Sequence, residues 1–226
     1  MSKPYRKRKG EGHVRREEIL AAAGEVFLAE GYENTTIRRI AARVGVTSAA
    51  LYLYFSDKDA ILLEICDHAF ARLLDRFEQI RNDGDDPLTV LRRMMEAYVR
   101  FGLDHPDEYR LTFMAKSDMA RAGALPFAHR TDELDLQAPG GKGPQSFALL
   151  QSQVAMLIDS RSLQPGDPGT IAELIWAAGH GLVSLLITFP DFPWSDREVL
   201  IRGSVDLPLQ GLIASRPANG SPANSV

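Results

Sequence analysis

The sequence predicts an all-α chain: a small three-helix head built around a tight two-helix turn, followed by a larger helical body. Apolar residues recur at three- and four-residue steps along most of the length, and no stretch alternates apolar and polar side chains as a half-buried strand would. Glycine, proline and capping residues punctuate these stripes at helix-length intervals. No segment repeats.

Taken in order, residues 1–14 form a basic arm, and a first helix is predicted from Arg15 to Glu30 with Ile19, Leu20, Ala23, Val26 and Phe27 on one face and Gly31 as its stop. Ile37, Ile40, Ala41 and Val44 mark a short second helix that Thr36 caps and Gly45 ends. Val46 plugs the corner, and Thr47 caps a third helix through Ala50, Leu51 and Tyr54. Ser56 or Asp57 starts a long helix whose inner face is Ile61, Leu62, Ile65, Ala69, Leu73, Phe77 and Ile80, ended by Asp83-Gly84-Asp85. Pro87 opens a helix that His105-Pro106 breaks, and Glu108 to Met119 is a further helical piece. Residues 125–145, rich in proline and glycine, read as a loop. Ser146 begins a helix closed by Pro165-Gly166, Thr170 to Phe189 is the most apolar helix, and Ser195 caps a last helix to Ile213. The expected organisation is an arm (1–14), a head (15–60), a body (61–214) and a disordered tail (215–226).

Two helices joined by a three- to four-residue turn containing glycine are a helix-turn-helix, whose second helix enters the DNA major groove. The charge pattern agrees. Residues 1–16 hold seven Lys/Arg against one Glu, and residues 1–60 carry +3 on a chain whose total is −4, leaving −7 on residues 61–226. A positive front end suits phosphate, and an acidic remainder is repelled by it. By itself, the KRK run reads equally as a solvated tail.

The first 75 or so residues resemble the TetR family of bacterial transcriptional regulators. The resemblance rests on Ile19-Leu20-Ala21-Ala22-Ala23, Phe27, Gly31-Tyr32, Thr35-Thr36, Ile40-Ala41, Gly45-Val46, Leu51-Tyr52, Tyr54-Phe55, Lys58 and Leu62, in matching order and spacing. Further on, Trp176 and His180-Gly181-Leu182 look like the Trp…His-Gly pattern of one group of its effector domains. The resemblance implies a three-helix DNA-binding domain, a larger effector-binding domain and a homodimer joined through the last two helices. It also implies DNA contacts: Thr47, Ser48 and Ala50 toward the groove, Tyr52 and Tyr54 toward phosphates, and Thr36, Arg38 and Lys58, with Arg15 and Arg16, around them. Leu51 and Phe55 turn inward. Ser48-Ala49-Ala50 and Leu53 depart from the family pattern and offer few groups for bidentate base contacts. Either the alanines read thymine methyls or specificity moves to Arg38, Arg39 and the arm.

Tyr98, Phe101, Phe113, Met114, Phe147, Met156 and Trp176 serve equally as effector-pocket lining or plain core, and His180, one turn from Trp176 on the same helix face, reads as a hydrogen-bonded core histidine, with a ligand or dimer role as the alternative. Arg100, Lys116 and His105 are candidate anchors for an anionic ligand, and Cys66 reads as a buried thiol. The five histidines are scattered without a metal-ligand or nucleophile motif, so no enzyme, metal or cofactor is expected. With one cysteine, no apolar run after the basic N-terminus and no apolar stretch of about 18 residues, the chain reads as cytoplasmic, away from membranes. The expected activity is repression released by a small molecule. A ligand-independent architectural DNA binder is the alternative, which the large acidic body disfavours.

Overall fold

Every regular element of the described residues is helical, as the apolar periodicity requires. The computed structural model describes residues 11–114 and 141–213; the expectations for residues 1–10, 115–140 and 215–226 lie outside them. The order is α1 (Glu11–Glu30), α2 (Ile37–Val44), α3 (Ser48–Leu51), α4 (Lys58–Asn82), α5 (Pro87–Asp104), α6 (Pro106–Tyr109) running into a π-helical turn (Arg110–Met114), α7 (Lys142–Asp159), α8 (Pro168–Thr188) and α9 (Arg197–Leu212). Packing divides the chain into two units, residues 1–78 with 101–147 and residues 79–100 with 148–226. The boundary expected at residue 60 falls inside the first.

In the first unit α1 packs on α2 and on the π-helical turn. Ile19, Phe27, Ile40, Leu51, Phe55, Ile61, Leu62 and Leu111 form its buried core. Each such side chain contributes roughly 1.5–3 kcal/mol by leaving water. Because Leu51 and Phe55 are among them, the short α3 is anchored from below. In the second unit α8 packs along α9, over a core that includes Leu91, Met94, Val99, Leu157, Ile175, Val183 and Ile201.

Several helix ends differ from the sequence expectation. α1 begins at Glu11, not Arg15. α3 is only four residues long; the turn to Tyr54 is held instead by bonds such as Leu53 N to Ala50 O (3.4 Å) and Tyr54 N to Leu51 O (2.9 Å). α7 starts at Lys142, because Pro144 lies in its first turn, where no intrahelical N–H is needed. Ser146 is therefore interior and donates back to Lys142 O (2.8 Å). Asp167, whose carboxylate accepts from Thr170 N at 2.7 Å, caps α8 and allows Pro168 inside it. Asp196, not Ser195, caps α9 through Val199 N (3.0 Å). α8 also corrects the expectation on apolar length: it is a 21-residue helix with an 18-residue stretch of mean hydropathy 1.6, long and apolar enough by length and composition to cross a bilayer. Its side bearing Ile171, Ile175, Val183 and Ile187 is buried, whereas Leu174 and Leu185 are exposed.

Candidate nucleic-acid interface

The turn between α2 and α3 is built as its residue types require. Thr36 Oγ1 accepts from Arg39 N (3.3 Å) and Thr47 Oγ1 from Ala50 N (3.1 Å), so both short helices begin on a hydroxyl cap. Gly45 ends α2 at φ 77°, a left-handed conformation that any other residue adopts at a cost of about 1–2 kcal/mol. Val46 N then bonds Ala41 O (2.9 Å), closing the corner.

This framework leaves a definite set of side chains outward. Thr36, Arg38, Thr47, Ala49, Tyr52 and Leu53 are exposed, and Ser48, Ala50 and Tyr54 are half-buried. Tyr52 and Leu53 are 55% and 78% exposed, large values for such side chains. The two tyrosines therefore differ: Tyr54 packs against the core of the head, while Tyr52 does not. Of the arginines on α2, Arg39 pairs with Glu30 (2.6 Å) and Arg43 with Glu25 (Nε, 2.9 Å). Arg38 has no ionic partner among the described residues.

Three of the expected phosphate contacts are engaged within the protein. Lys58 donates to Tyr32 O (2.9 Å) and sits 4.2 Å from the Tyr32 ring centroid, tying the start of α4 to the loop before α2. Arg15 pairs with Glu18 at 2.7 Å. Arg16 reaches Glu64 on α4 and the Tyr54 carbonyl, and its bond to Glu64 holds the guanidinium above its ordinary pKa.

The eight residues expected to line an effector pocket fall in both units. Phe101, Phe113, Met114 and Phe147 belong to the first, and Tyr98, Met156, Trp176 and His180 to the second. Met114 and Met156 are exposed. Tyr98, Trp176 and His180 do come together. The indole donates to Tyr98 Oη (3.0 Å), that oxygen lies 3.3 Å from His180 Nδ1, and His180 Nε2 lies 3.2 Å from Ser184 Oγ. Burial lowers the His180 pKa, favouring the neutral ring. Arg100, an expected anion anchor, forms a fork with Glu198 (2.7 and 2.6 Å). A cavity of about 360 Å³ in the first unit was not foreseen. Its lining includes Glu17, Leu20, Gly24, His68, Arg72 and Glu108, which come from three helices distant in sequence.

Comparison with known proteins follows this division of the chain. The family described as bacterial regulatory proteins, tetR family, matches residues 19–65, and the tetracyclin repressor-like C-terminal domain matches residues 91–200. The chain is similar to the uncharacterized HTH-type regulator YuxN of Bacillus subtilis, at 25% identity over 115 residues, which is 51% of this chain and 37% of that protein. It is 37% identical over 93 residues to the HTH-type transcriptional repressor BepR of Brucella suis, covering 41% and 44% of the two chains. The chain thus spans less than half of either relative's length. The fold is also that of the TetR-family regulator PfmR from Thermus thermophilus, with a TM-score of 0.61, 24% identity and coverage of 85% and 97%.

Proposed function

We propose that this chain, which belongs to the TetR family of bacterial regulatory proteins, binds a double-stranded DNA operator as a homodimer and leaves it when a small molecule binds. The observation that carries the reading is the doubly capped α2–α3 turn, which presents Thr36, Arg38, Thr47, Tyr52 and Leu53 outward from a fixed core, within the segment that matches the family. Thr47, Ser48 and Ala50 face base edges; Thr36, Arg38 and Tyr52 hold phosphates; the basic arm adds sequence-independent attraction. Residues 15–60 act as the reading head and 61–214 as the effector and dimerisation domain, flanked by the arm (1–14) and tail (215–226). Repression is favoured by the likeness to BepR. The effector would act by linkage, binding more tightly to a conformation whose two heads do not match the operator spacing.

Selection of a duplex from a random-sequence pool, followed by fluorescence anisotropy at one stated salt concentration, tests the DNA role. The expected result is tighter binding to the selected duplex than to its scrambled form. Equal binding to both would reduce the protein to an architectural binder. A thermal-shift screen with small hydrophobic compounds tests the effector role, since a ligand of the native state raises its melting temperature.

A further inference from the structure

The guanidinium of Arg16, one turn into α1, is shared between two other parts of the first unit, α4 and the turn after α3. Its Nε donates to Glu64 Oε1 (2.5 Å), Nη2 completes the fork on Glu64 Oε2, and Nη1 donates to the main-chain carbonyl of Tyr54 (2.7 Å). Its Cζ lies 4.2 Å from the centroid of the Phe55 ring. All three nitrogens are thus engaged, with the Phe55 ring beneath the guanidinium. Glu64 is the more shielded member of the pair, its side chain 23% exposed. The Tyr54 carbonyl belongs to the turn that follows α3, where the helical ladder has ended after four residues.

We infer that Arg16 and Glu64 are positioning residues for DNA reading: Glu64 on α4 orients the Arg16 fork, and the fork fixes the turn Tyr52–Phe55 that carries the outward Tyr52 and Leu53. The inference rests on the DNA-binding reading above, and replaces there the role of Arg16 as a phosphate contact. Past α3 the backbone is closed only by Leu53 N on Ala50 O and by Tyr54 N and Phe55 N on Leu51 O, a short run of bonds beyond which the Tyr54 carbonyl takes its bond from Arg16. Leu51 and Phe55 anchor the turn through apolar burial, which is not directional; the bond from Arg16 to the Tyr54 carbonyl adds direction. Lysine cannot replace this arrangement, since a point charge does not bond a carboxylate in fork geometry and a carbonyl at once.

The two roles for Arg16 predict opposite signs. Glu64→Gln removes a negative charge near the DNA face, so if Arg16 held a phosphate, the freed arginine would bind DNA more tightly. If Arg16 positions the turn, Glu64→Gln weakens binding instead. Arg16→Lys keeps the charge, so it spares a phosphate contact and breaks the fork. Fluorescence anisotropy on the selected and scrambled duplexes, across a salt series, reads both. We expect Glu64→Gln and Arg16→Lys each to lose about tenfold on the selected duplex, the scale of one charge-assisted hydrogen bond, with the slope of log affinity against log salt unchanged. Tighter binding by Glu64→Gln, wild-type binding by Arg16→Lys, or a slope reduced by about 0.9 in Arg16→Gln would overturn the inference. Amide hydrogen exchange of the DNA-free proteins reads the same device separately. Leu53, Tyr54 and Phe55 amides should exchange faster in Glu64→Gln while those of α2 stay as in wild type, and unchanged exchange would count against it. If the wild-type protein selects no duplex, the DNA-binding reading fails, and the exchange result still decides whether Arg16 holds the turn.

Discussion

Individual side chains around the α2–α3 turn divide into those that hold the frame and those that face outward. Tyr52 belongs to the second group, so Tyr52→Phe removes a hydroxyl without disturbing the core. We expect DNA affinity to fall by about 0.5–1.5 kcal/mol, equally on selected and scrambled duplexes, because a phosphate contact carries no base information. Anisotropy titrations that show a changed sequence preference would place Tyr52 at a base edge. Cys66 lies in the core, and burial pushes its thiol up to about 12. The unfolded chain gives up that proton near pH 9 and the folded one does not, so this group adds to stability below that pH. The contribution is lost as pH rises from about 9 toward 12. Urea midpoints for wild type and Cys66→Ala should diverge across that window, the variant's falling less. Equal slopes against pH would mean that the thiol is reached by water. Gly45, Thr36 and Thr47 were all legible in the sequence because turn and cap chemistry is local. The partners of Arg16 and Lys58 were not, since Glu64 and the Tyr32 carbonyl reach them only through the fold.

Among the elements, long apolar stripes announced themselves and ends did not. Every predicted helix that lies within the described residues is present, but α3 stops at Leu51, and α7, α8 and α9 are entered differently from expectation. The Asp167-Pro168 entry was readable in principle, an aspartate cap followed by proline at the first helical position. Two glycines on α8, Gly179 and Gly181, sit in unequal surroundings. A Cβ on Gly179 would lie 3.3 Å from Met95 Cε and Val99 Cγ2, whereas one on Gly181 meets nothing within 4 Å. Alanine gains roughly 0.5–1 kcal/mol over glycine in a helix, and overpacking costs about 1–3 kcal/mol. Gly181→Ala should therefore be neutral or stabilising and Gly179→Ala destabilising, measured by urea unfolding at low protein concentration. Equal stabilities would mean that Met95 and Val99 yield freely.

For the whole molecule, the fold class and its family were legible, since pattern and spacing survive wide sequence change. Pocket lining and plain core were not separable, because the same aromatic and Met residues make a core or line a cavity. The quaternary state rests on an observation at this scale. Leu174 on α8 and Val199 and Leu207 on α9 are 60%, 56% and 71% exposed, and Phe189 and Phe192 between these helices are exposed as well. A second copy of the same two helices would cover that face and form a four-helix seam, as the family resemblance implies. Across a two-fold axis each substituted residue meets its own symmetry mate or neighbour, so Leu207→Asp would put two carboxylates into one seam. In a lone protomer the same change is harmless, since Leu207 is already in water. We therefore expect Leu207→Asp to keep the helical circular-dichroism signal and run as a monomer in light scattering. Wild type should be a dimer whose melting temperature rises with protein concentration. The monomeric variant should still bind a duplex carrying one half-site, and lose the gain that wild type obtains from two half-sites about 34–36 Å apart or a multiple of that. Persistence of the dimer in both Leu207→Asp and Leu174→Asp would place the seam on another face.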